Sequence, residues 1–176
     1  MRSARRPASV GRCAFTLVEL LIVVAVLVIA AAVVIPNIGS AADAQAMSAA
    51  RVLAADIEMA RSLALRSMRP HTVLFSDDLQ SYKVVADYDG ESFAAAEAVP
   101  HPVTEGERME TTLAERLGMD RVTVESVSFG GERFVTFNEL GEPSASGTVI
   151  VAAGDLEVEV AVAALTGTVT VSRVSD

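Results

Sequence analysis

A chain of 176 residues with a formal net charge of −9 and a single cysteine is long enough for one domain and cannot build a disulfide framework. Its acidic balance repels nucleic acid rather than attracting it, and two tyrosines with no tryptophan leave few stacking platforms for bases or sugars. The first element is an apolar run. Arg2, Arg5, Arg6 and Arg12 precede it with no acid among them, and from Phe15 to Ile35 only Thr16 and Glu19 are polar in 21 residues. As a helix this run spans roughly 31 Å, enough for the hydrocarbon core of a bilayer. A carboxylate inside such a span costs on the order of 2–4 kcal/mol, which marks Glu19 as a functional candidate in need of a partner. No Lys or Arg lies between Phe15 and Asn37 to supply one.

Three ordinary readings compete for this end of the chain. A secretory signal peptide would use a shorter apolar stretch and a small-residue cleavage site, for which Ala30-Ala31-Ala32 could serve. A lipoprotein signal needs its cysteine after the apolar run, whereas Cys13 comes before it. A plain signal anchor, its arginines held in the cytoplasm, accounts for orientation and leaves Glu19 without a purpose.

The segment Ala14-Phe15-Thr16-Leu17-Val18-Glu19-Leu20-Leu21 resembles the class III signal of type IV pilins and type II secretion pseudopilins. The resemblance implies a leader over 1–14, cut between Ala14 and Phe15 by a prepilin peptidase that also methylates the new Phe15 amine. It implies a transmembrane helix over 15–38 and an extracytoplasmic domain over 39–176. It also implies an assembly role for Glu19, whose counterpart in the family pairs with the terminal amine of a neighbouring subunit, so that a cation from another chain, or from Phe15 itself, would neutralise it in lipid. The chain departs from the family at Ala14, where glycine is nearly invariant. Removing the leader arginines leaves 10 basic against 23 acidic residues, or −13, and takes Cys13 with it.

After Pro36, which is expected to bend or unwind the helix locally, the pattern becomes one-sided. Ala46, Ala50, Leu53, Ile57, Ala60, Ala64 and Ser67 recur at spacings of four and three, a stripe on an amphipathic helix. Asp43, Arg51, Asp56, Glu58, Arg61 and Arg66 fall mainly off it. Ser40 or Asp43 suits the start, and Arg66 and Arg69 suit the end before Pro70. Read continuously, Phe15 to Met68 makes a helix of roughly 80 Å.

The remainder reads as β. Strands are expected at His71–Phe75 and Ser81–Ala86 around the turn Asp77-Asp78. Others are expected at Val122–Phe129 and Arg133–Phe137, flanking Gly130-Gly131 as a hairpin. Gly147–Ala152, Leu156–Val162 and Thr168–Arg173 follow, and Leu156–Val160 alternates with period two. Tyr88–Gly118 reads as a long acidic loop with a short helix at Thr112–Leu117.

This order and the segments Asp56–Arg66, Arg69-Pro70, Val73-Leu74-Phe75, Val135–Gly141 and Thr166–Val171 are similar to minor pseudopilins of the GspH/FimT type. The resemblance implies an α+β, pilin-like fold: a long N-terminal helix, half membrane and half amphipathic, packed on antiparallel sheets. It implies a minor structural subunit of a type II secretion pseudopilus that supports protein secretion from the bacterial inner membrane, single-pass, with its C-terminal domain in the periplasm. Other pseudopilins or pilins, the prepilin peptidase/methyltransferase and the membrane are the expected partners, and no nucleic acid, metal or cofactor is expected. A minor type IV pilin, in pilus assembly or DNA uptake, is the alternative. Chemistry has little support: His71 and His101 are the only histidines, His71 reads as a strand residue, and no hydrolase or zinc-protease motif occurs. Asp87-Tyr88-Asp89-Gly90 has part of a calcium-loop spacing, without the distal glutamate, and reads equally as a turn.

Overall fold

Alanines set how closely the central helix can approach its neighbours. In the computed structural model, which describes residues 16–34, 37–116 and 118–174, two helices open the chain: α1 over Leu17–Val34 and α2 over Asn37–Ser67. The chain divides into a unit over 1–38 and a unit over 39–176. The join at residues 35–36, where a bend was expected, lies outside the described residues.

Along α2, Ala42, Ala46, Ala49, Ala50, Leu53, Ile57, Ala60 and Ala64 are buried, so the predicted stripe is the packing face. Ser67 is not part of it: it is exposed, and its hydroxyl donates to the Leu63 carbonyl at 2.8 Å within the last turn. The helix also starts before Ser40 and Asp43, which lie inside it rather than at its cap. It stops where Met68 turns to φ +54° and Pro70 has no N–H to continue the ladder.

Two four-stranded antiparallel sheets follow. The first is ordered β3-β2-β1-β5, with β1 over His71–Phe75, β2 over Ser81–Ala86, β3 over Glu110–Thr112 and β5 over Phe134–Phe137. The second is ordered β4-β6-β7-β8, with β4 over Thr123–Phe129, β6 over Gly147–Ala153, β7 over Leu156–Val162 and β8 over Val169–Arg173. One core joins the α2 stripe to Val73, Tyr82, Val135 and Phe137 of the first sheet and to Phe129, Val149, Val158 and Val160 of the second. Small side chains permit this: a Cβ on Gly154, in the β6–β7 turn, would sit 3.1 Å from Ala42 Cβ. The alternation of β7 is realised, with Val158, Val160 and Val162 inward and Glu157 outward.

Two expectations are corrected. Gly130-Gly131 does form a tight turn, with φ +64° and +97° and reciprocal hydrogen bonds between Phe129 and Glu132 at 2.9 and 3.2 Å. The strands it links nevertheless part into different sheets. Phe129 pairs with Gly147 of β6 and Phe134 with Leu74 of β1, so the turn passes the chain between sheets instead of closing a hairpin ladder. The segment 88–118 is also more structured than a loop. It contributes β3, paired with β2 through Ser81↔Thr112 and Lys83↔Glu110, and a 3₁₀ turn at Leu113–Glu115. The last residue of the predicted 112–117 helix lies outside the described residues.

Part of this segment folds onto the outer face of the first sheet. Leu74, Val85 and Ala96 form a second buried cluster there, bordered by Tyr88, Phe93 and Phe134. Lys83, 5% exposed, lies beneath it, with Nζ 4.2 Å from the Phe93 ring centre and donating to the Ala96 carbonyl at 3.1 Å. With both faces covered, all five residues of β1 are buried.

Candidate assembly site

The first turn of α1 explains how Thr16 and Glu19 work together. The Thr16 hydroxyl accepts the Glu19 backbone N–H at 3.1 Å, and the Thr16 carbonyl accepts the Leu20 N–H at 3.2 Å. Thr16 is therefore the N-cap and Glu19 the third helical residue, the Thr-x-x-Glu spacing of a capping box with its hydroxyl bond formed. The cap was missed in the sequence, although Thr-Leu-Val-Glu carries its signature of Ser or Thr followed three residues later by Glu. A carboxylate in this turn also meets the positive end of the helix dipole. Neither effect neutralises it fully, and α1 contains no basic residue.

The rest of α1 is apolar on every side. Every side chain from Thr16 to Ala30 is exposed, from Val23 at 50% to Leu17 at 81%. A helix apolar all round is stable only when something covers it. At 18 residues α1 measures about 27 Å. Among the described residues no helix is long and apolar enough to cross a membrane. The span expected over 15–38 includes residues outside the described ones, as do the cleavage residues Ala14 and Phe15.

The candidates for chemistry are held in structural roles. His71 is buried in β1, its ring Nδ1 3.0 Å from the Arg69 carbonyl. His101 Nδ1 accepts the N–H groups of Thr104 at 2.9 Å and Val103 at 3.3 Å, closing a turn. Asp87, with φ +49°, is paired with Arg69. Among the described residues no group of three or more His, Cys, Asp and Glu is placed to hold a metal ion. The turn expected at Asp77-Asp78 is present. Asp78 accepts the Ser76 hydroxyl at 2.6 Å and the Gln80 N–H at 3.0 Å, which hold its carboxyl below the usual range.

The outer unit has a polar clasp that the sequence did not single out. The Tyr82 hydroxyl donates to Asp56 at 2.6 Å, tying β2 to α2. Burial, then the Asp56 charge, then that hydrogen bond push the Tyr82 phenol well above its ordinary 10.0.

Residues 49–173 match the family described as Type II transport protein GspH, and residues 11–35 match the prokaryotic N-terminal methylation motif. The chain belongs to the GspH family. The fold is similar to that of the minor pseudopilin EpsH from the type 2 secretion system of Vibrio cholerae. That likeness has 13% identity and a TM-score of 0.55, over 75% of this chain and 99% of that one. The type IV minor pilin FimU of Pseudomonas aeruginosa is similar at 16% identity and a TM-score of 0.50, over 71% of this chain and 90% of that one. Among curated proteins none matches this chain in sequence.

This GspH-family chain is accordingly a type II transport protein with an α+β, pilin-like fold and a structural rather than an enzymatic task. Its methylation motif implies processing by a prepilin peptidase, assembly with other pilin-like subunits, and anchoring of an extracytoplasmic domain by the N-terminal helix.

Proposed function

We propose that this pseudopilin is cut between Ala14 and Phe15, methylated at the Phe15 amine, held in the bacterial inner membrane by residues 15–38, and assembled through Glu19. Residues 39–176 then form the periplasmic domain. The observation that carries this reading is α1 itself. Its side chains are exposed all round from Thr16 to Ala30, its first turn is capped by Thr16, and it has one carboxylate and no cation. In lipid that carboxylate needs a positive partner, from another chain or from Phe15 itself, and the terminal amine of an arriving subunit would neutralise both charges at once. Glu19 is four residues beyond Phe15, about one helical turn, so such a contact would set the axial register of one subunit against the next. Other pseudopilins and the prepilin peptidase/methyltransferase are the partners this reading requires.

The minor type IV pilin alternative draws on the likeness to FimU, which at 16% identity speaks for the fold alone. DNA uptake is further disfavoured by charge: from residue 15 onward the chain carries 10 basic against 23 acidic residues. Nucleic acid is accordingly not among the proposed partners.

Mass spectrometry of the protein from its native membranes tests the processing step. The expected species is 15–176 with a methylated N-terminal Phe15. An intact N-terminus, or one beginning after Ala30–Ala32, would overturn the reading.

A further inference from the structure

The four sheet edges are not equally protected. An edge strand presents a row of unpaired N–H and C=O groups, which folded chains usually shorten, cover or kink. At the edge of the first sheet β3 is only three residues long. The other edge, β5, is covered by the segment after it: Ser144 N–H bonds to the Thr136 carbonyl at 2.7 Å, and Pro143 bridges Phe137. In the second sheet β4 is irregular, its register shifting between Val124 and Ser126. The remaining edge, β8, has a regular five-residue register against β7, contains no proline, and is bonded along its outer side by no other segment among the described residues.

The ladder fixes which groups are open. Val174 N–H bonds to the Glu157 carbonyl and Ala163 N–H to the Thr168 carbonyl, both at 3.0 Å. Thr170 and Ser172 therefore direct their backbone groups at β7, and Val169, Val171 and Arg173 direct theirs outward. The side chains agree with this. Val169 and Val171 pack on the core yet stay half-buried, because no strand lies beyond them, and Arg173 is exposed with no ion pair among the described residues. At the Val169 end the edge meets an apolar step. Leu165, 86% exposed, lies in the turn whose Gly167 approaches the Gly141 carbonyl, next to Leu140, 69% exposed.

We propose that β8 is a docking edge, to which a neighbouring pilin-like subunit adds an extended segment, apolar at alternate positions and acidic opposite Arg173. The class of the partner rests on the function proposed above. The recognition itself rests on the edge: backbone groups of Val169, Val171 and Arg173 supply hydrogen bonds, the two valines complete their burial, and Arg173 selects a carboxylate. Leu140 and Leu165 would cap the far end of the added strand.

The test uses the full chain in native membranes with Cys13→Ser and Ser172→Cys, an exposed position of β8 that leaves Arg173 in place, so that the only thiol reports on this edge. Maleimide crosslinks, mapped by mass spectrometry, are expected to fall in an extended segment of another pilin-like subunit. Adding Val171→Pro removes an outward N–H without touching the β7 ladder, and it should cut the crosslink about tenfold, as expected for one or two lost backbone hydrogen bonds. Thermal unfolding of the purified full chain checks that this variant keeps its fold. If it does not, Val171→Lys, which keeps the N–H but places a charge on the incoming segment, should show the same loss of crosslinking. Crosslinks of equal yield in a folded variant would overturn the docking edge. Loss of assembly in Glu19→Ala alongside such a result would leave the proposed function standing, whereas equal assembly of Glu19→Ala and wild type would count against that function instead.

Discussion

The two helices of this chain solve the problem of apolar burial in opposite ways. α2 hides its stripe inside the chain: Leu53, Ile57 and six alanines face two sheets and are at most 4% exposed. α1 offers its side chains outward, and from Leu17 to Ile29 its leucines, valines and isoleucines remain 50–81% exposed. The outer unit therefore specifies its structure from its own side chains. α1 specifies only a surface that lipid or other helices must cover, plus a single carboxylate to which the proposed function gives the task of selecting among them. Stability and assembly should accordingly respond to different substitutions.

The largest expected effect lies in the outer unit. Gly147 starts β6 where a Cβ would sit 2.1 Å from the Ser128 carbonyl oxygen and 2.4 Å from the Phe129 ring. The demand there is for space, since the obstruction is backbone that cannot rotate away. Gly147→Val should prevent the second sheet from forming and leave the outer unit open to proteolysis. The proposed cleavage at Ala14–Phe15 should persist, because the motif it rests on lies wholly in residues 11–35. Circular dichroism and limited proteolysis read the first effect and intact mass reads the second. A folded variant would mean that the β4–β6 pairing is looser than its register indicates.

Glu19→Ala should do the reverse. The outer unit keeps its melting temperature and the leader is still removed, but crosslinking to other pseudopilins in membranes falls sharply. Equal crosslinking would mean that Glu19 serves only as a residue of the first helical turn, and that outer surfaces such as the β8 edge carry assembly. Thr16→Ala separates these roles further. It removes the cap, for which about 1 kcal/mol is typical, while leaving the carboxylate in place.

How much of this was legible in the sequence follows the same division. The α2 stripe from Ala46 to Ala64 was readable because helical period and burial coincide there; at Ser67 the period continued and the core did not. β7 was readable from strict alternation. β3 was not, since Glu110-Thr111-Thr112 has no apolar pattern and is a strand only because β2 offers it a ladder. The divergence of β4 from β5 was hidden too, because Gly130-Gly131 encodes a turn and not the partners beyond it. Lys83 reads as a surface residue of an alternating strand, but Phe93 and Ala96 arrive from ten residues downstream and more to bury it. Glu19 stood out at once, because a charge among apolar residues is a local anomaly. Its cap was equally local, in the spacing of Thr16 and Glu19.

The most local predicted effect within the outer unit concerns the clasp between Tyr82 and Asp56, and it sharpens the view that this unit is self-sufficient. The phenol is buried and donates to a carboxylate, so its neutral form is favoured and its folded pKa stands above 10.0. Below about pH 10, folded and unfolded chains both keep the proton and the clasp contributes fully. As pH rises past that point the unfolded chain releases its proton first. The folded state then binds more protons than the unfolded one, and stability falls with pH. Tyr82→Phe removes the hydrogen bond, and with Asp56 only half-buried the cost at neutral pH should be about 1–2 kcal/mol. Because the variant has no proton to lose at this position, its stability should decline less steeply between pH 10 and 11 than that of wild type. Thermal melts of both proteins from pH 7 to 11 measure the difference. Parallel curves would mean that Tyr82 ionises as readily in the folded chain as in the unfolded one, and that β2 is held to α2 by the apolar stripe alone.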